Sequence, residues 1–154
     1  MNLEQDALWI IMDPWKPTPY SQDLLECPNL DDIHEVVMGR ILDYIPKLNH
    51  VCVSCPTFIY DPTFKKVNLH PSVEHLHNLK NSFHRLFKYM NHHDLSNIVY
   101  CGFHYGDCVL GSADGAVAAS KHYQVYVKRD LCGLYPTESW EEEDKKTKIY
   151  AEII

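Results

Sequence analysis

The sequence predicts a three-layer α-β-α domain of the α/β class, with helices on both faces of a mostly parallel sheet of five or six strands. Three observations lead there. Runs of strand length, Ala7 to Met12, Val51 to Cys55 and Asn97 to Gly102, are dominated by apolar residues and stop at acidic residues, proline or glycine, as strands buried on both faces do. Segments with helical spacing separate these runs, and such alternation favours parallel pairing through right-handed crossovers. The 154 residues contain no long Pro/Gly/Ser linker, so one domain over 1–154 is expected.

The first strand delivers Asp13 at its carboxyl end, and Pro14 to Pro28, with four prolines, reads as a loop over the edge of the sheet. Ile33, Val36, Val37, Ile41 and Ile45 follow three-and-four spacing after acidic residues at 31–32, which places a helix from Leu30 to Pro46. The second strand, Val51 to Cys55, is stopped by Pro56. Phe64 to Leu69 reads as a short strand, and Val73, Leu76, Leu79, Phe83, Leu86 and Met90 predict a helix over 72–91 capped by Ser72. After the strand ending at Gly102, residues 107–120 read as a small-residue helix opening near Cys108. Gln124 to Val127 is the next strand, and Thr137 caps a charged last helix running toward Ile154.

The formal charge of −7 disfavours a phosphate-backbone partner, which needs a concentrated Lys/Arg surface, so no nucleic acid is expected. The first residues are acidic where a signal peptide is basic, and no apolar run reaches the roughly 18 residues of a membrane span. A cytoplasmic protein with reduced cysteines and no membrane partner is the expectation.

In such a sheet the site lies beyond the carboxyl ends of the strands, where Asp13 and the 103–108 loop both fall. Cys108, after a strand and at a helix start, suits covalent catalysis, because a helix N-terminus or a nearby base favours thiolate. The loop residues Gly106 and Asp107 could turn backbone N–H groups toward a developing oxyanion. Trp15, Phe103 and Tyr105 are the aromatic candidates for lining a substrate.

The run Ile98 to Ala113 resembles the signature of the isochorismatase-like cysteine hydrolases: a hydrophobic strand and a glycine, five residues, Cys-Val, then after two more residues Thr-Ala. Ser112 stands where threonine is usual, and Gly115 where aspartate is frequent. Leu8 to Asp13 is similar to that family's first strand, whose final aspartate takes the proton of the cysteine, and Tyr123 to Val127 with Asp130 resembles the strand that follows. The likeness covers about the first fifteen residues and 94–132, while the middle agrees in element order alone.

The resemblance implies a cysteine nucleophile helped by an aspartate and a lysine, no cofactor, a small-molecule substrate and a homo-oligomer. The family's lysine position falls near His75. Lys65, Lys66 and Lys80 are the nearest substitutes, with His70 or His75 as alternative cations. The Asp-x-His plus His set of the nicotinamidase branch is missing, so no metal is expected.

Other motifs have plainer readings. Cys52 and Cys55 lie three apart in a strand and point to opposite faces, which argues against a redox or zinc pair. Asn91 to Asp94 reads as a polar helix end with its histidines near the negative pole, and Glu141 to Lys146 as a solvated helix face. Two functions from different classes remain: a hydrolase of a small carbon–nitrogen or vinyl-ether bond through Cys108, and a catalytically silent member of the same fold that binds a small molecule or a protein.

Overall fold

Ala7 to Met12 offers no charged or hydroxyl side chain, so both of its faces must be covered, and all six residues are buried. The computed structural model describes residues 1–17, 29–55, 64–66, 74–77 and 83–154. A single turn, α1 (Leu3–Asp6), leads into β1 (Ala7–Met12), followed by β2 (Trp15–Pro17), α2 (Leu30–Tyr44) and a 3₁₀ turn at Ile45–Lys47. Then come β3 (His50–Cys55), β4 (Phe64–Lys66), β5 (Glu74–His77), α3 (His84–His92) and β6 (Asn97–Phe103). Two short turns, α4 (Cys108–Gly111) and α5 (Ala116–Ala119), precede β7 (Gln124–Gly133), α6 (Trp140–Tyr150) and β8 (Glu152–Ile153).

Six described strands form one sheet in the order β5-β3-β1-β6-β7-β8, and every pairing is parallel. The central strand β1 therefore ends between two neighbours, with Met12 level with Ser54 of β3 and Gly102 of β6. A separate antiparallel ribbon joins β2 to β4, with Trp15 opposite Lys66 and Lys16 opposite Lys65. Among the described residues no helix is long and apolar enough to cross a membrane.

The helix predicted from Leu30 is α2, whose buried Leu30, His34, Val37, Met38 and Ile41 form the stripe that packs over β7. Pro46 sits in the 3₁₀ turn that closes it, where its missing N–H costs nothing. Trp9, fully buried, donates its indole N–H to the Leu3 carbonyl at 2.8 Å, which ties α1 under the sheet.

Four elements differ from expectation. In place of one helix over 72–91 the chain forms β5 and then α3, because pairing with the outer edge of β3 outweighs the helical spacing of the apolar residues. The helix expected over 107–120 is two turns split at Ser112–Gly115. There Ser112 Oγ bonds back to the Cys108 carbonyl at 2.7 Å, offering the backbone an alternative to the helix ladder. The strand read at Gln124–Val127 continues to Gly133, and the last helix starts at Trp140 after Ser139, leaving residues 152–153 to add the sixth strand.

Candidate active site

Asp13 is the first residue past β1, with its N–H donated to the Ser54 carbonyl at 2.9 Å and its backbone in the left-handed region at φ 45°. That conformation is uncommon for a residue with a side chain, and it turns the carboxylate out of the strand direction. The carboxylate accepts a hydrogen bond from the Cys108 thiol. Sequence reasoning placed both residues at one sheet edge, and the fold brings them into contact.

Burial pushes the Asp13 carboxyl up to about 6, the bond from Cys108 pulls the other way, and the charges of Asp114 and Asp107 add to the rise. The Cys108 thiol is also pushed upward, first by burial and then by Asp13, Asp107 and Asp114. Among the described residues every charge acting on this thiol is a carboxylate. The expected lowering by a helix dipole is absent for a plain reason: α4 is one turn of four residues and has little dipole to offer.

Asp114 lies behind the pair and is buried. Ser54 Oγ donates to its Oδ2 in a short contact, Ser112 Oγ lies 2.9 Å from its Oδ1, and its backbone carbonyl accepts the Tyr100 hydroxyl at 2.7 Å. Ser112 was noted in sequence for standing where threonine is usual, whereas Ser54, Asp114 and Tyr100 were not singled out. The available signal was Ser112 inside the Cys-Val-x-x-Ser-Ala run, with an acid two residues later.

The two amides expected to receive an oxyanion are already engaged. The Gly106 N–H donates to Glu138 Oε2 at 3.3 Å, and the Asp107 N–H to the His104 carbonyl at 3.1 Å. The Cys108 amide, at the head of α4, has no carbonyl behind it within the helix and is the better placed donor. Gly106 has another role: a Cβ there would collide with the Glu143 carboxylate, which packs against the loop from α6.

Phe103 and Tyr105 were expected to line substrate, but both are core residues, at 1% and 0% exposure. Phe103 stacks on His34 at 4.0 Å between ring centres, and Tyr105 meets Trp140 edge-on at 5.2 Å while its hydroxyl donates to Asp144 Oδ1 at 2.8 Å. The Tyr105 hydroxyl thus finds a partner inside the protein, as buried tyrosines require. His104 Nε2 faces His34 Nε2 at 3.1 Å, and burial with the neighbouring imidazole lowers His104 to about 3.

The side chain of Trp15 lies outside the described set, as do those of Lys65, Lys66 and His75, whose backbones lie in β4 and β5; His70 and Lys80 fall outside the described residues. The β2–β4 ribbon nonetheless sets the backbone of Lys65 and Lys66 beside the segment that follows Asp13.

No protein-family model and no curated protein matches this sequence. Solved structures do match along nearly the whole chain. An isochorismatase family protein from Desulfovibrio vulgaris is 11% identical with a TM-score of 0.71, over 96% of this chain and 93% of that one. An isochorismatase-like hydrolase from Alkaliphilus metalliredigens is 12% identical with a TM-score of 0.68, over 97% and 94%. The pyrazinamidase of Pyrococcus horikoshii, solved in complex with zinc, is 16% identical with a TM-score of 0.67, over 98% of each chain. The chain has the isochorismatase-like hydrolase fold.

In this isochorismatase-like fold, zinc chemistry would need a set of ligands near the crevice. Among the described residues no group of three or more His, Cys, Asp or Glu is placed to hold a metal ion. Asp13 and Asp114 are held by Cys108, Ser54 and Ser112, so the described residues do not fit zinc.

Proposed function

We propose that this chain is a cysteine hydrolase that opens a small-molecule amide or vinyl-ether bond, with Cys108 as the covalent nucleophile and Asp13 as its base. The observation that supports it is the thiol of Cys108 hydrogen-bonded to the Asp13 carboxylate at the carboxyl edge of the sheet. A carboxyl that titrates near 6 is ionised at neutral pH and can accept a proton, yet once protonated it is acidic enough to return it.

For an amide the steps balance as follows. The Cys108 proton passes to Asp13 as sulfur bonds to the carbonyl carbon, and the new oxyanion is met by the Cys108 amide. The tetrahedral species collapses with the carbon–nitrogen bond breaking, and Asp13 gives its proton to the leaving amine. Water then adds to the thioester carbon and yields a proton to Asp13; the carbon–sulfur bond breaks and the thiolate takes that proton back. Because the described surroundings disfavour thiolate, a cation drawn from Lys65, Lys66, His70, His75 and Lys80 completes the site. The pyrazinamidase among the structural neighbours makes a small aryl carboxamide the first substrate to try.

The chain works as a homo-oligomer in a reducing cytoplasm. Cys101, Cys108 and Cys132 are free thiols, and Val36 and Leu42 of α2 with Ile149 and Tyr150 of α6 leave apolar surface exposed. Sedimentation should give a mass above 17.9 kDa.

The test is ammonia release from a panel of small carboxamides beginning with pyrazinamide, with mass spectrometry of an acyl adduct on Cys108. Cys108→Ala and Asp13→Asn should each lose about 10³-fold or more. Turnover that survives either substitution overturns the proposal. The silent scaffold is the second reading, favoured by the all-acidic surroundings of Cys108; it requires that no carboxamide is turned over and no adduct forms.

A further inference from the structure

We infer that Asp114 is a positioning residue, pinned between Ser54 and Ser112 so that it holds Asp13 and Cys108 in register. The inference rests on the hydrolase reading above and deepens it. Asp13 follows β1 and Cys108 heads α4; β1 pairs directly with β6, Met12 level with Gly102, but residues 104–107 lie between the end of β6 and Cys108. Something must fix their separation, since a misplacement of about 1 Å is enough to cost catalysis heavily.

The hydrogen bonds trace a continuous link. The Asp13 N–H is held by the Ser54 carbonyl at 2.9 Å, and the hydroxyl of the same Ser54 is bound to Asp114 Oδ2. From the other carboxylate oxygen, Asp114 Oδ1 lies 2.9 Å from Ser112 Oγ, which is 2.7 Å from the Cys108 carbonyl oxygen. Ser112 has one hydrogen to divide between those two acceptors, so it clamps the nucleophile's turn to the acid. Tyr100, from β6 between the two halves, fixes Asp114 through its backbone carbonyl at 2.7 Å. Ser54 and Asp114 are buried, so water does not compete for these bonds.

Among the described residues the titratable groups whose charges Asp114 meets are Asp13 past β1, Cys108 in α4 and Tyr100 in β6, and Asp107 before α4 and Cys52 in β3 act on the same groups. All are neutral or negative when they titrate. Asp114 therefore has no ion partner among them, and its bonds to two serines are what hold it.

Ser54→Ala and Ser112→Ala cut the link on either side without removing a charge. The probe is iodoacetamide, with the rate of Cys108 alkylation mapped by mass spectrometry from about pH 5 to about pH 10. In the wild type, contact with Asp13 keeps the thiol protonated across this range, so loosening that contact should raise the labelling rate at a given pH by about three- to tenfold in each variant. Ser112→Thr keeps the hydroxyl and should restore the wild-type profile. In an Asp13→Asn background Ser54→Ala should move nothing further, because the partner through which it acts is gone.

Folded alanine variants with the wild-type profile overturn the inference, as does an equal shift in the Asp13→Asn background; circular dichroism reports the folding, and if Ser54→Ala does not fold, Ser112→Ala carries the test. A distinct outcome, in which Asp13→Asn alone leaves the profile unmoved, overturns the Asp13–Cys108 pairing itself and the inference with it.

Discussion

Nε2 of His34, on α2, faces Nε2 of His104, just past β6, across 3.1 Å in a largely buried contact. One ring must donate and the other accept, so the contact accommodates one hydrogen between them. Protonating both rings would break it and place two charges together.

His104 is therefore held down to about 3 in the folded chain, against 6.5 for an ordinary histidine. Between these values the unfolded chain binds the proton and the folded chain does not, so stability is lost as pH falls through that window. At pH 4.5 the loss amounts to about 3 kcal/mol relative to pH 7. Urea unfolding at the two pH values should show His104→Asn losing less stability than the wild type by that amount; an equal loss would mean that His104 is protonated in the fold.

Asp13 works in the opposite direction. Its folded value of about 6 lies above the ordinary 3.8, so ionising it costs stability that is intact below about pH 4 and fully lost above about pH 6. Asn tolerates the left-handed backbone and cannot ionise. Asp13→Asn should thus be more stable than the wild type at pH 8 by about 3 kcal/mol, with the gap closing toward pH 4, while the proposed hydrolysis is abolished. Equal stability at both pH values would contradict the burial of this carboxylate.

Gly102 has φ 107° and lies against Met12, where a Cβ would run into the backbone nitrogen and carbonyl of the central strand. Backbone cannot yield as a side chain can. Gly102→Ala should cost about 3 kcal/mol or more and lower the thermal midpoint sharply. A midpoint within a few degrees of wild type would refute this close approach.

Cysteine labelling separates access from acidity. Cys52, Cys101 and Cys132 are buried, and burial pushes Cys101 up to about 12 and raises Cys132 as well, whereas Cys108 is only half-buried. Under mild alkylation Cys108 should be modified well ahead of these three; its described neighbours push the thiol upward, so a rate still rising through about pH 9 would mean that the proposed cation does not reach it. A plateau near neutral pH would instead indicate a cation beside it.

The strands that lie in the middle of the sheet were the most legible parts of this sequence. Ala7 to Met12 and Ile98 to Gly102 are apolar on both faces, a pattern that admits few alternatives, although the second strand runs one residue past Gly102. The same logic set Asp13 and Cys108 at one edge. Glu74 to His77 was misread because an edge strand takes its structure from the neighbour it pairs with, and its own spacing looked helical. Phe103 and Tyr105 were misassigned for a related reason: proximity to Cys108 in sequence says nothing of which way a ring turns, and both turn inward. Asp114, Ser54 and Tyr100 form a network only through three separate elements, so no local pattern announces it.

The placement of β1 between β3 and β6 also bears on how the chain reaches this state. Its partners lie some forty and ninety residues away, and parallel strands so far apart pair only after long loops have closed. Asp13 gains its neighbour Ser54 from the first of these closures and Cys108 only after the second. The hydrogen bond between carboxylate and thiol should accordingly form late in refolding, after most of the secondary structure, so that the pH dependence of Cys108 labelling serves as a clock for the final step of assembly.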